Sequence, residues 1–334
     1  MANKAPAGGL GIVVIGRNEG PRLRACLGSL GDRADLVVYV DSGSTDDSLA
    51  IARASGAEVV ELDMTRPFTA ARARNVGFAR VLEVRPTIEF VQFVDGDCEV
   101  VRGWLGLARG YLEKHPDVAV VCGRRRERDP ERSVYNRLCD IEWNRPIGMA
   151  KACGGDAMMR VSAFKAVGGF NDDMIAGEEP ELCLRLGRKG WRIWRLDADM
   201  TLHDAAIARF SQWWRRTVRG GYGFALGAVL HGRAPERHYV RETARAVLWG
   251  GVLPLLAIGG SIGSLWWLVL FAAYPVQVCR LAWRRGPSQS LSWIYAGFMV
   301  MAHFAELQGI LKFVSDRIFG RRSGIIEYKS DQSP

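Results

Sequence analysis

Gly11-Ile-Val-Val-Ile15 is a short run rich in β-branched residues that leads into the polar triplet Arg17-Asn-Glu19 and then a helical pattern from Pro21 to Leu30. Leu36-Val-Val-Tyr-Val40 repeats the arrangement, followed by Asp41-Ser-Gly-Ser-Thr-Asp46 and a helical pattern from Asp46 to Ala54. Short β-branched runs bounded by turn residues read as strands, and a 3.6-residue recurrence of apolar positions reads as helix. The rhythm continues through Glu58-Val-Val-Glu61, a helix from Thr69 to about Val84, Phe90-Val-Gln-Phe-Val94, a helix near Trp104 to Lys114, and Val118-Ala-Val-Val-Cys122. Such alternation predicts an α/β fold with a mostly parallel sheet and helices on both faces.

Ligands of open sheets sit beyond the carboxyl ends of the strands. Three of those ends carry polar clusters: Arg17-Asn-Glu19, Asp41 to Asp46, and Asp95-Gly-Asp97. All three can converge on one cleft. Residues 124–150 are basic and irregular, and predict a mobile loop or a substrate-covering segment. Order resumes at Gly154-Gly-Asp-Ala-Met-Met-Arg160, with a helix from Pro180 to Lys189, β-like runs at Trp191–Leu196 and Met200–His203, and a helix from Ala208. The expected domains are a cytosolic catalytic domain, 1–230, and a basic, apolar, membrane-anchoring helical region, 231–334.

The 334 residues, 48% of them hydrophobic, suffice for one large α/β domain with an appendage. Up to Leu230, 33 basic residues stand against 30 acidic ones; after it, 12 stand against 6. The basic excess thus sits beside the apolar segments, which points to a cytoplasmic membrane face and away from nucleic acid. The arginines from Arg124 to Arg145 have no nucleic-acid recognition module beside them. The seven cysteines are scattered and form no C-x-x-C pair, so they read as reduced. Met1 to Gly9 lacks the apolar core of a secretory signal, which keeps the first domain in the cytosol as an expectation.

Between Arg245 and Arg280 lie 34 residues without a charge. As one straight helix they would measure roughly 50 Å, against a hydrocarbon core of about 30 Å. Gly259-Gly-Ser-Ile-Gly263 divides the stretch, with Arg237, Arg241 and Arg245 before it and Arg280, Arg284 and Arg285 after it. A helical hairpin satisfies the positive-inside tendency at both ends, and one tilted helix or a re-entrant hairpin is the alternative. The run Leu291 to Val314 contains His303, Glu306, Gln308 and Lys312, and reads as an interfacial helix.

Asp95-Gly-Asp97 places two carboxylates at a strand end, where a hard cation can bridge them to a diphosphate; a turn explains the same residues. The ordered set settles the choice: Arg17-Asn-Glu19, Asp41-Ser-Gly-Ser-Thr-Asp46, Ala73-Arg-Asn-Val-Gly77, Asp95-Gly-Asp97 and Gly177-Glu-Glu-Pro-Glu181. It resembles family 2 of the glycosyltransferases, with the GT-A fold, over about residues 10 to 225.

The resemblance implies that Asp41 hydrogen-bonds a nucleobase, with Ser42, Arg17, Asn18 and Glu19 lining the same pocket and Arg74 approaching the diphosphate. It implies that Asp97 ligates Mn2+ or Mg2+, and that Asp95 contacts ribose or a metal-bound water. His203 stands where some relatives place a metal-ligating histidine; a capped surface histidine is the equal alternative. Glu179 is the expected catalytic base, with Glu178 as the fallback, since the family usually has Glu-Asp here. Favourable charge at a helix start also accounts for both residues. Gly154-Gly-Asp156 resembles the loop beside the donor sugar. Gln212-Trp-Trp-Arg-Arg216 resembles the Q-x-x-R-W signature of processive relatives, with Arg216 in place of the last Trp, which puts polymer synthesis in doubt. Trp213 and Trp214 can stack on a sugar, sit at a membrane surface or pack in a core, and Arg215 or Arg219 can reach the diphosphate.

The expected activity is a metal-dependent, hexosyltransferase-like inverting transfer from a nucleotide-sugar donor to a hydroxyl of a lipid-linked saccharide. The setting would be bacterial cell-surface polysaccharide or glycolipid synthesis at the inner membrane, with the catalytic domain facing the cytoplasm. Transfer to a polyprenyl phosphate, or a non-catalytic nucleotide-sugar-binding scaffold, are the alternatives.

Overall fold

The computed structural model describes residues 9–31, 34–321, 324, 326 and 327. The N-terminal stretch expected to lack a signal falls, apart from Gly9, outside them. The chain divides into two compact units, Met1–Met174 with Glu178–Ala208, and Ile175–Gly177 with Arg209–Pro334.

The first unit runs β1 (Gly9–Gly16), α1 (Pro21–Leu30), β2 (Leu36–Asp41), α2 (Ser48–Ala54), β3 (Glu58–Glu61), α3 (Ala70–Val84), β4 (Ile88–Asp95) and β5 (Cys98–Val100). It continues with α4 (Trp104–Lys114), β6 (Val118–Glu127), α5 (Val134–Trp143), β7 (Gly148–Ala150), β8 (Ala157–Arg160), α6 (Val161–Ala166), α7 (Glu178–Arg188) and β9 (Arg192–His203). The sheet order is β3-β2-β1-β4-β8-β6-β9-β5, with β7 on β9. β1 to β4 are mutually parallel and β6 runs parallel to β9, whereas β8 is antiparallel to both its neighbours. The mostly parallel sheet is as expected.

β1 is buried along Leu10–Ile15, as a strand covered on both faces must be, and this is why its sequence is a continuous apolar run. α3 packs closely on this part of the sheet. A Cβ added at Gly77 would lie 2.4 Å from Val13 Cγ1 and 2.9 Å from Val40 Cγ2, so only glycine allows the approach. Thr69 caps α3 by accepting from Arg72 N. Phe78, Phe93, Phe164 and Phe170 pack ring against ring beneath the segment that leads towards α7.

Residues 124–150 are ordered, which corrects the expected mobile loop. β6 continues through the arginines to Glu127 because this stretch pairs with β9, Arg125 opposite Thr201 and Glu127 opposite His203. Asp140 on α5 accepts from Arg124 and Arg126, which offsets the charge that made the run read as a loop. The two β-like runs from Trp191 to His203 form one irregular strand, β9, with breaks in register against β6.

The second unit contains α8 (Phe210–His231), α9 (Val240–Val247), a π-helical turn Leu248–Val252, α10 (Leu253–Ser261), a 3-10 stretch Leu265–Ala272, α11 (Ala273–Arg285) and α12 (Ser290–Ile318). α8 packs within this unit, against α12. A Cβ at Gly221 would meet Glu306 O at 2.1 Å, and one at Gly309 would meet Val218 O at 2.0 Å. Val240–Ser261, Leu265–Arg285 and Ser290–Ile318 are long and apolar enough to cross a membrane. The first two are separated near Gly259–Gly263, at the expected hairpin break. The third, read from sequence as interfacial, is 29 residues long, or about 44 Å.

Gly77→Ala is expected to lower stability by about 1–3 kcal/mol, the usual cost of overpacking, measured as a lower denaturation midpoint of the solubilised chain.

Candidate active site

The first two strand ends are knitted together by short polar contacts. Asn18, in a left-handed conformation with φ 55, accepts from Thr45 N through Oδ1, and its own N–H donates to Ser44 Oγ. Ser48 Oγ accepts from Glu19 N and Gly20 N. Ser42 N donates to Gly16 O. Asp41 is buried, and its carboxylate accepts from Gly43 N, Ser44 N and the Tyr39 hydroxyl, which fixes the turn that carries Ser42. The Arg17 guanidinium lies 4.8 Å from the Phe68 ring centroid, and Glu19 pairs with Arg22 at 2.9 Å. The predicted nucleotide residues of β1 and β2 therefore share one rim.

At the end of β4 the organising group is Arg74. Its side chain is only 3% exposed, and it faces Asp95 at 2.8 Å, Glu178 at 2.9 Å and Glu179 at 3.3 Å. Burial disfavours a charged guanidinium, but the three carboxylates outweigh that and hold its pKa above the ordinary value. Burial likewise pushes the Asp95 carboxyl up, and Arg74 with Arg125 pulls it below the usual carboxylate range. Glu179 goes the other way: burial, then the neighbouring Glu178 charge, push it up to about 7 against the pull of Arg74. A Cβ on Gly155 would lie 2.3 Å from Arg74 Nη2 and 3.1 Å from both Asp95 Oδ2 and Glu179 Oε1, so a side chain there would push the guanidinium out of its present position. Asn75 secures the segment before α7, donating to Phe170 O and Asp172 Oδ1 and accepting from Phe170 N.

Beside this cluster, Asp97 is buried and its Oδ2 lies 3.3 Å from His203 Nε2. β5 pairs with β9 so that Cys98 is opposite His203, and Asp97, Cys98 and His203 present ligand atoms within 4.8 Å of one another. Behind the imidazole, Glu127 Oε2 lies 3.8 Å from Nδ1, and the Trp143 ring meets the imidazole edge to face at 4.8 Å. The Glu127 carboxylate thus stands on the Nδ1 side of the ring, and Trp143 flanks the ring plane.

Asp156 is fully buried. Its oxygens accept from Asp95 N at 3.0 Å and Thr201 Oγ1 at 2.7 Å, and Oδ2 forms an ion pair with Arg125 Nη2 at 2.8 Å, where a donor-sugar contact had been expected. Trp213, Trp214 and Arg215 belong to the second unit. There Trp213 is buried against Phe298, with ring centroids 4.9 Å apart, and Trp214 Nε1 donates to Gln308 Oε1 at 2.7 Å.

Sequence reading missed Arg125, Glu127, Cys98, Asn75 and Gly155. Continuing the two-residue alternation of Val118–Cys122 through the arginine run would have placed Arg125 and Glu127 on one face of a strand.

A sheet of this order with an Asp-Gly-Asp segment at a central strand end is a GT-A glycosyltransferase fold. A mannosyltransferase from Pyrobaculum calidifontis, PcManGT, solved in complex with GDP-Man and Mn2+, superimposes with a TM-score of 0.64 at 19% identity, over 94% of this chain and 89% of its own. Residues 11–168 match the model of Glycosyl transferase family 2. A pre-mycofactocin glycosyltransferase of Mycobacterium tuberculosis is 29% identical over 288 residues, 80% of this chain and 57% of the relative. The succinoglycan biosynthesis protein ExoA of Rhizobium meliloti is 32% identical over 152 residues, 40% of this chain and 46% of that protein. The chain thus spans about half the length of the curated relatives it matches.

Arg74→Met leaves three carboxylates without their shared cation, and is expected to destabilise the first unit by about 3–5 kcal/mol. In the unaltered protein, the lowered Asp95 pKa contributes stability above the ordinary carboxylate pKa of about 3.9. That contribution is lost as pH falls below it. Denaturation midpoints of both proteins against pH check each statement.

Proposed function

We propose that this chain is an inverting glycosyltransferase that moves a sugar from a nucleotide-sugar donor to a hydroxyl of a lipid-linked acceptor at the cytoplasmic face of the inner membrane, in cell-surface polysaccharide or glycolipid synthesis. The observation that carries the reading is Glu179: a half-buried carboxyl with a pKa of about 7, one guanidinium away from the Asp95-Gly-Asp97 strand end.

The rim of Arg17, Asn18, Glu19, Asp41 and Ser42 receives the nucleoside. Asp41, already fixed by Tyr39 and two backbone amides, offers its remaining lone pairs to a nucleobase N–H. Asp95 faces the ribose, and Arg74 holds Asp95 and Glu179 at a set spacing and lends positive charge to the diphosphate side.

The Asp97 carboxylate is a hard oxygen donor that suits Mn2+ or Mg2+, and His203 Nε2, 3.3 Å from it, would be the second ligand. When bound, such an ion offsets the charge that develops on the departing nucleoside diphosphate. Glu179 accepts the acceptor hydroxyl proton as that oxygen forms a bond to the anomeric carbon. The bond from that carbon to the diphosphate oxygen breaks on the opposite face, and the electron pair leaves with the diphosphate. Glu178 pairs with Arg74 at 2.9 Å, and its neighbouring charge helps to keep the Glu179 pKa high.

A tuned base favours a hydroxyl acceptor over a polyprenyl phosphate, whose oxygen is already ionised. Three apolar helices, the first with Arg241 and Arg245 in its opening turns and the second ending in Arg280, Arg284 and Arg285, support a membrane-borne acceptor approached from the cytoplasm.

Membranes containing the protein, incubated with Mn2+ or Mg2+ and a panel of radiolabelled nucleotide sugars, test the reading. Label from one donor is expected in the organic-extractable fraction, falling by about 10²–10³-fold in Asp97→Ala, a loss of several kcal/mol of charge stabilisation. Nucleotide binding without label from any donor would indicate a non-catalytic scaffold.

A further inference from the structure

Two overlapping sets of donor atoms meet at the end of β4. Asp97, Cys98 and His203 form one; Asp95, Cys98 and Asp156 form the other, also with ligand atoms within 4.8 Å of one another. The second set already contains a cation. Arg125 Nη2 lies 2.8 Å from Asp156 Oδ2 and 3.1 Å from Asp95 Oδ2, between the two carboxylates that a metal ion at that place would have to bridge.

Arg125 is built into this position. Its backbone pairs with Thr201 of β9, and the Thr201 hydroxyl donates to the same Asp156 oxygen that Arg125 faces. Its guanidinium lies 5.6 Å from the centroid of the Trp143 ring, the ring that also meets His203. The side chain is 16% exposed, and Asp156 is fully buried. Paired carboxylates spaced this closely can hold a second divalent ion in two-metal sites, where the ions stand about 3.5–4 Å apart. A guanidinium in the same gap supplies fixed positive charge that cannot dissociate, and it repels a divalent ion from that gap.

We propose that Arg125 is the resident second cation of this site, and that it limits the site to one divalent ion, held at Asp97 and His203. The proposal rests on the metal role given to those two residues above, and it adds the residue that sets the number of ions. It also gives Asp95 and Asp156 their positions before any ion arrives, because Arg125 joins them across β4 and the loop that precedes β8. Arg125 is in this sense a positioning residue.

The test counts Mn2+ bound to the detergent-solubilised full chain, by titrating to saturation and following the free ion by electron paramagnetic resonance. One ion is expected for the wild type and for Arg125→Lys, which keeps the charge. Two are expected for Arg125→Met or, should that variant not fold, for Arg125→Gln. The double variant Arg125→Met/Asp97→Ala is expected to keep one ion, now at Asp95 and Asp156, whereas Asp97→Ala alone binds none. One ion in both the wild type and the neutral variants would overturn the proposal and leave the Asp97–His203 site standing. Two ions in the wild type would also overturn it. No ion in any form would overturn the proposal together with the metal reading beneath it.

Discussion

One buried guanidinium holds the site together. Arg74 stands on a helix pressed against the sheet, and from there it meets a carboxylate at the end of β4 and two at the start of α7. Three negative groups so close would repel one another strongly in a water-poor environment. With Arg74 present, Asp95 stays ionised while Glu179 is poised near neutrality. Two carboxyls in one cluster thus acquire different pKa values from their surroundings, the usual way a protein divides acid and base roles between like residues. The close approach of α3 at Gly77 and of the loop at Gly155 are the steric conditions for that arrangement.

Much of this was legible in the sequence. The continuous apolar runs of β1, β2 and β4 announced a sheet covered on both faces, and the polar clusters at their ends lie where open sheets place ligands. Glu178 and Glu179 were identifiable, but their link to Arg74, more than a hundred residues earlier, was not. Charge pairing across such a separation leaves no local pattern. The same limit explains residues 124–150: a run of arginines reads as solvated loop because its partners, Asp140, Asp156 and Asp199, are brought to it by α5, by the loop before β8 and by β9. Cys98 and Glu127 went unnoticed because a lone thiol and a lone carboxylate carry no periodicity.

In the second unit, the hairpin break near Gly259–Gly263 was readable from glycines alone. Placing α8 in that unit was not, since the glycines that let it pack, Gly221 and Gly309, look unremarkable in a helical pattern and have their effect only through backbone contacts on a distant helix. The tryptophans that resembled a sugar platform are engaged within this unit, Trp213 with Phe298 and Trp214 with Gln308.

The account depends most on Glu179 acting as a base whose pKa is set by burial, Glu178 and Arg74. The most direct measurement is the pH dependence of single-turnover sugar transfer by the wild type and by Glu179→Gln. A base must be ionised to accept a proton, so the wild-type rate should rise about tenfold per pH unit up to about 7 and then level off. In Glu179→Gln that rise should vanish, leaving a residual rate about 10²–10⁴-fold lower. A wild-type profile that is flat between about pH 5 and 8, the range over which such a base would titrate, with full activity in Glu179→Gln, would contradict the account.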